Sequence, residues 1–113
     1  MRRCFFFKER EVWWCSIGLN LGHEENSKNQ FFTRPVLVIR KFNNHLFLGV
    51  PLTTQIKENK YYHQVTLKEE TQCLMLSQMR IFGNARMRSR LGELSRGQFA
   101  EVKKKIAEMI LGD

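Results

Sequence analysis

Apolar residues along this chain fall into short runs separated by polar turns, and only the C-terminal end changes period. The most continuous run is Val36-Leu37-Val38-Ile39, three of the four β-branched, which predicts a strand buried on both faces. It follows Phe32-Thr33-Arg34-Pro35. Pro35 fixes its own φ and pushes Arg34 toward an extended conformation, so the strand is expected to start at that corner with an arginine at its mouth. Upstream, Val12-Trp13-Trp14-Cys15-Ser16-Ile17 reads as a strand whose two tryptophans alternate faces, one for the core and one for surface or interface. Gly18 to Gln30 is polar and predicts a long loop, a usual place for function. Downstream, Asn43-Asn44 marks a turn, Leu46 to Val50 a hairpin partner, and Pro51 its end, so that Leu52-Thr53-Thr54-Gln55 leaves the sheet edge. Tyr61 to Leu67 predicts a strand and Lys68-Glu69-Glu70 a charged turn. One long apolar strand is expected from Cys73 to Phe82.

Beyond Gly83 the pattern changes. Arg80, Arg86, Arg88, Arg90 and Arg96 are balanced by Glu93 alone across that span. Ser95 and Gln98 have capping-box spacing, and Phe99, Val102, Ile106, Met109 and Ile110 recur at helical period with Lys103-Lys104-Lys105 mostly opposite. Several short strands followed by one terminal helix make a mainly β (α+β) domain, a small barrel or half-open sheet with a helix laid against it. The 113 residues suffice for one such domain. Residues 1–8 are expected to be flexible or covered by an interface, because three consecutive phenylalanines, Phe5 to Phe7, need a cover.

Charge changes the picture. A formal net charge of +8 favours an anionic partner. The 3 cysteines, Cys4, Cys15 and Cys73, are odd in number and widely spaced, which argues against a disulfide framework and a metal site. Cys15 and Cys73 are expected as buried strand thiols in a cytoplasmic protein. The apolar start stops at Lys8, too short for a signal peptide, and no stretch approaches a membrane span. An arginine at a strand mouth usually caps the strand or pairs with a carboxylate. Arg34 gains interest from its neighbours: Gly22-His23-Glu24 in the polar loop and Pro51-Leu52-Thr53-Thr54 at a strand exit.

In this setting the chain resembles the MazF/PemK (Kid) toxins of type II toxin–antitoxin systems. The resemblance rests on Glu11-Val12-Trp13, Gly22-His23-Glu24, Thr33 to Ile39, Pro51-Leu52-Thr53 and Leu76-Ser77-Gln78-Met79-Arg80, in the family's order and followed by its C-terminal helix. It implies an SH3-like barrel of the CcdB/MazF/PemK type, a homodimer, no cofactor or metal, and metal-independent, sequence-specific cleavage of single-stranded RNA. The products would be a 2′,3′-cyclic phosphate and a 5′-hydroxyl, and a small acidic antitoxin would silence the toxin. By that resemblance Arg34 stabilises the charged phosphorane, Thr53 holds the scissile phosphate, and His23 serves as acid or base. Glu24, Thr54, Gln78 and Arg80 are the expected RNA-binding residues. The arginine and aspartate of Kid-type members are replaced by Met75 and Ser77. That departure keeps two alternatives open: a CcdB-like toxin that inhibits a protein target without hydrolysis, and a catalytically weakened RNA-binding homologue.

Overall fold

The computed structural model describes residues 6–19 and 31–112; His23, Glu24, Cys4 and Phe5 lie outside them. The described chain runs β1 (Glu11–Leu19), β2 (Phe31–Lys41), β3 (Leu46–Thr53), β4 (Tyr62–Leu67), β5 (Glu70–Met75), β6 (Arg80–Gly83), β7 (Met87–Glu93) and α1 (Arg96–Leu111). The strands form one antiparallel sheet in the order β4-β5-β3-β2-β1-β7, with β6 paired to the first half of β3. This is the mainly β architecture with a C-terminal helix that the pattern predicts. The sheet is curled rather than closed, since its end strands β4 and β7 share no ladder among the described residues.

The uninterrupted apolar run of β2 explains the layering. Leu37 and Ile39 enter one core with Val12, Leu52, Leu74, Phe99, Val102 and Ile106, beneath α1. Val36 and Val38 enter a second core on the opposite face with Trp13, Cys15, Phe47 and Phe82. Cys15 and Cys73 are buried free thiols, as expected. Trp13 is buried and donates its indole N–H to Glu11 Oε1 at 2.9 Å, whereas Trp14 is 37% exposed. Phe7 is buried against Phe47, with ring centroids 5.2 Å apart, while Phe6 is exposed. At the β2–β3 turn, Asn43 Oδ1 accepts the backbone N–H groups of His45 and Leu46.

Several expectations need correction. β2 begins at Phe31, so Pro35 is no corner; it lies inside the strand, opposite Trp14 of β1. β3 does not stop at Pro51 but runs on to Thr53, because Leu52 and Thr53 find partners in Leu74 and Cys73 of β5. The strand expected from Cys73 to Phe82 is broken by a one-turn 3-10 helix, Leu76–Gln78. The break moves the chain from the C-terminal half of β3, paired with β5, to its N-terminal half, paired with β6. β7 lies where only a basic stretch was evident. Its Arg88, Ser89 and Arg90 are exposed, and a strand held by a bulged backbone ladder to β1 shows little hydrophobic period.

The helix starts as expected, with Ser95 Oγ accepting the Gln98 N–H at 3.2 Å. Gln98 does not complete the capping box. Its side-chain amide instead accepts from Thr66 N–H at 2.7 Å and donates to Thr66 O at 3.0 Å, clamping the helix to edge strand β4. Phe99, Val102 and Ile106 are buried, but Ile110 in the last turn is 62% exposed.

β3 passes close to β2 because Gly49 has no side chain. A Cβ there would lie 2.6 Å from Val36 Cγ1, 2.9 Å from Phe47 Cε2 and 3.0 Å from Phe82 Cδ1. Gly49→Ala should therefore destabilise the fold by about 1–3 kcal/mol through overpacking, read as a lower urea midpoint with unchanged slope. An unchanged midpoint would contradict this packing.

Candidate active site

The β2–β3 ladder ends where Val36 faces Pro51. Neither Pro35 nor Pro51 carries a backbone N–H, so neither can donate to a ladder. Past that pair β3 turns to β5, and β2 continues beside β1 alone. Continued two residues further, the same register sets Arg34 against Thr53 on one face of the strands. The divergence opens a cleft of about 320 Å³, lined by both residues together with Thr33, Thr54 and Trp14. Its far wall is the β4–β5 hairpin, through Lys68, Glu70 and Gln72, with Leu67, Leu52 and Leu91 as an apolar floor.

The chemistry of this cleft suits an anion with flat apolar parts. Arg34 is half-buried and makes no ion pair or side-chain hydrogen bond with the described residues, so its donors are unspent. Thr53 Oγ1 accepts the Gln55 N–H at 3.2 Å, which orients the hydroxyl and leaves its proton to donate. Cys73, opposite Thr53, reaches Lys57 O from Sγ at 3.5 Å and ties down the segment that follows. Trp14, partly exposed, presents an aromatic ring among the lining residues.

Arg34, Thr53 and Thr54 thus share one cleft. Gln78 and Arg80 do not line it: Gln78 is exposed on the 3-10 helix, and the Arg80 guanidinium lies 4.6 Å from the Phe82 ring centroid. Met75 is buried at the end of β5 and Ser77 is exposed, both outside the cleft. His23 and Glu24 fall outside the described residues. His45 is exposed at the β2–β3 turn, and His63 lies against Glu101, Lys104 and Lys105 of α1, where burial and then Lys105 hold its pKa below the ordinary value against the pull of Glu101. Arg86 and the arginines of β7 are spent locally: Arg86 on Ser16 O, Arg88 on Ala85 O, Arg90 on Glu11 and Glu93. Among the described residues, no group of three His, Cys, Asp or Glu is placed to hold a metal ion. Sequence reasoning missed Trp14, Lys68, Glu70 and Gln72 as cleft residues. Only the exposed half of the Trp13-Trp14 pair carried a signal.

A family model described as PemK-like, MazF-like toxin of type II toxin–antitoxin system matches residues 8–110. The chain belongs to this family. PemK/MazF proteins are known as endoribonucleases. A sequence comparison with curated proteins found no match. Among solved structures, an endoribonuclease in complex with its cognate antitoxin from a mycobacterial species is similar at 14% identity, covering 96% of this chain and 98% of that one with TM-score 0.72. The MazE–MazF complex from Deinococcus radiodurans is similar at 19% identity, covering 96% and 100% with TM-score 0.66. A third, the crystal structure of an Mtb toxin, is similar at 16% identity, covering 66% of this chain and 90% of that one with TM-score 0.57. At these identities the likeness to each structure is one of fold. The PemK/MazF assignment itself rests on the family match.

Directly opposite Arg34 on β1, Cys15 is fully buried, and that burial pushes its thiol from 9.0 up to about 12, against the opposing pull of Arg88 and Arg86. A thiol held protonated is inert as a nucleophile near neutrality. In the PemK/MazF chain, Cys15 should therefore escape iodoacetamide at about pH 8 until urea unfolds the protein, as site-resolved mass spectrometry would show. The raised pKa also gives the sign of its stability term: fully present below pH 9.0 and lost as pH rises toward about 12. Rapid labelling of folded protein would contradict this burial.

Proposed function

We propose that this PemK/MazF-family protein is the toxin of a type II module and a metal-independent endoribonuclease acting on single-stranded RNA. The observation that carries the reading is the shared cleft of Arg34 and Thr53, where β2 and β3 part. An internal 2′-OH attacks phosphorus, the 5′-oxygen leaves, and the products are a 2′,3′-cyclic phosphate and a 5′-hydroxyl. Charge builds on the non-bridging oxygens, where a guanidinium that is always ionised offers a planar fork of donors. Thr53 donates its oriented hydroxyl to the same phosphate, Thr54 supports it, and Trp14 stacks a neighbouring base. The resemblance adds His23 as acid or base and Glu24 as an RNA contact. Gln78 and Arg80 would meet the strand beyond the cleft.

An acidic antitoxin is the expected protein partner. A second, open groove of about 710 Å³ supports this, lined by Lys8, Arg10, Lys41, Arg96 and Lys103 with Glu9 as its one carboxylate. The first turn of α1 also lacks an acidic residue, so the helix N-terminus adds to that positive field. A homodimer would cover exposed apolar residues on β3 and β6, Leu46 and Ile81. A second reading, an RNA-binding homologue with weakened catalysis, is favoured by the sequence itself, in which Met75 and Ser77 stand in place of the Kid-type arginine and aspartate.

Incubation of the protein with a mixed RNA pool in EDTA, followed by end sequencing, should yield cuts bearing cyclic phosphate. Arg34→Ala should slow cleavage about a hundredfold or more. Full activity in that variant would refute the role given to Arg34. Salt-sensitive binding of RNA by the wild type without product would select the second reading.

A further inference from the structure

The β4–β5 hairpin turns through Lys68 and Glu69, between the paired residues Leu67 and Glu70. Both turn residues lie in the left-handed region, at φ 51° and 67°. A two-residue turn of this kind strongly prefers Asn and Gly, since a side chain at positive φ crowds its own backbone. A lysine and a glutamate occupy it here, at a conformational cost the hairpin does not require.

Lys68 lines the cleft that holds Arg34 and Thr53, whereas Glu69 does not. Its stem is held by β7. A Cβ on the buried Gly92 would lie 3.4 Å from Lys68 Cε and 3.2 Å from Leu67 Cδ1. The end of the lysine stem thus passes over the backbone of Gly92. Its ammonium makes no ion pair or hydrogen bond with the described residues, although Glu70 lines the same cleft. By contrast, Arg10 is spent on Leu94 O and Lys41 on Phe7 O.

From this placement we infer that Lys68 is a second phosphate-contacting residue of the cleft, holding the phosphodiester next to the one met by Arg34 and Thr53. The inference rests on the RNA-cleaving reading and deepens it. It supplies from the hairpin a second positive charge to the cleft that holds Arg34. The substrate class is single-stranded RNA, gripped through non-bridging phosphate oxygens by a point charge without base preference.

The strained turn provides its own control. Lys68→Gly and Glu69→Gly each relieve a positive φ, so both should raise the thermal midpoint by a few degrees. Only Lys68→Gly should weaken binding. The probe is a 2′-O-methyl oligonucleotide spanning a cut site of the wild-type protein, which binds but cannot be cleaved. Lys68→Gly should lose on the order of five- to tenfold in affinity near 0.1 M salt, and its log–log salt slope should fall by about 0.7. Glu69→Gly should stay within about twofold, and Lys68→Arg should retain both affinity and slope. Wild-type binding with no change in Kd or slope for Lys68→Gly would overturn the inference and leave the nuclease reading standing. A parallel loss of affinity in both glycine variants would overturn it in favour of a structural role for the turn. A wild-type protein that neither cuts RNA nor binds the oligonucleotide would remove the inference together with the reading beneath it.

Discussion

A strand that lacks an N–H at the right position cannot extend its ladder, and this constraint shapes the molecule. β2 and β3 are zipped from Lys41–Phe47 to Val36–Pro51, and there the pairing ends. Because β3 is long enough to go on, Leu52 and Thr53 pair with β5 instead. Two strands that are neighbours for most of their length thus separate at one end, with Arg34 on one and Thr53 on the other. Proline is tolerated inside each strand because it sits where the partner changes. The opening is part of the sheet's construction rather than a gap between loops.

What holds the opening in shape is burial on both sides of β2. Val36 and Val38 are locked among Trp13, Phe47 and Phe82, and Leu37 and Ile39 among Leu52, Leu74 and the helix stripe. A guanidinium on such a strand loses little further freedom when it meets a phosphate, which favours preorganised charge stabilisation. The opposite wall is a short hairpin on edge strand β4, fastened by Gln98 of α1 on one side and resting on Gly92 of β7 on the other. Sheet, helix and final strand therefore converge on one cleft, although they are distant in sequence.

The sequence revealed the pieces better than their joints. The apolar run at Val36–Ile39, the Asn43 turn, the Ser95 cap and the Phe99–Val102–Ile106 stripe are local patterns, and each appears in the fold. Pro35 and Pro51 were legible as strand limits, but both strands continue past them: β2 stays paired with β1, and β3 takes up β5, which arrives from elsewhere in the chain. β7 was hidden because most of its side chains, Arg88, Ser89, Arg90 and Glu93 among them, are polar and lie on the surface. The break at Leu76–Gln78 was hidden for the converse reason: the apolar residues around it look like one strand, and only the switch along β3 demands a turn. In the cleft, Arg34 and Thr53 stood out through their motifs. Trp14, Lys68, Glu70 and Gln72 did not, since their relevance depends on a hairpin folding across the end of β2.

The claim beneath this account is that Arg34 and Thr53 act on one phosphodiester rather than at separate places. A double-mutant cycle on RNA cleavage tests it directly, with Arg34→Lys, Thr53→Val and the double variant compared by kcat/KM. Groups that share one transition state are coupled, so the double variant should lose clearly less than the product of the two single losses. Losses that multiply cleanly would mean that the two residues work independently, and the cleft would lose its claim to be one active site.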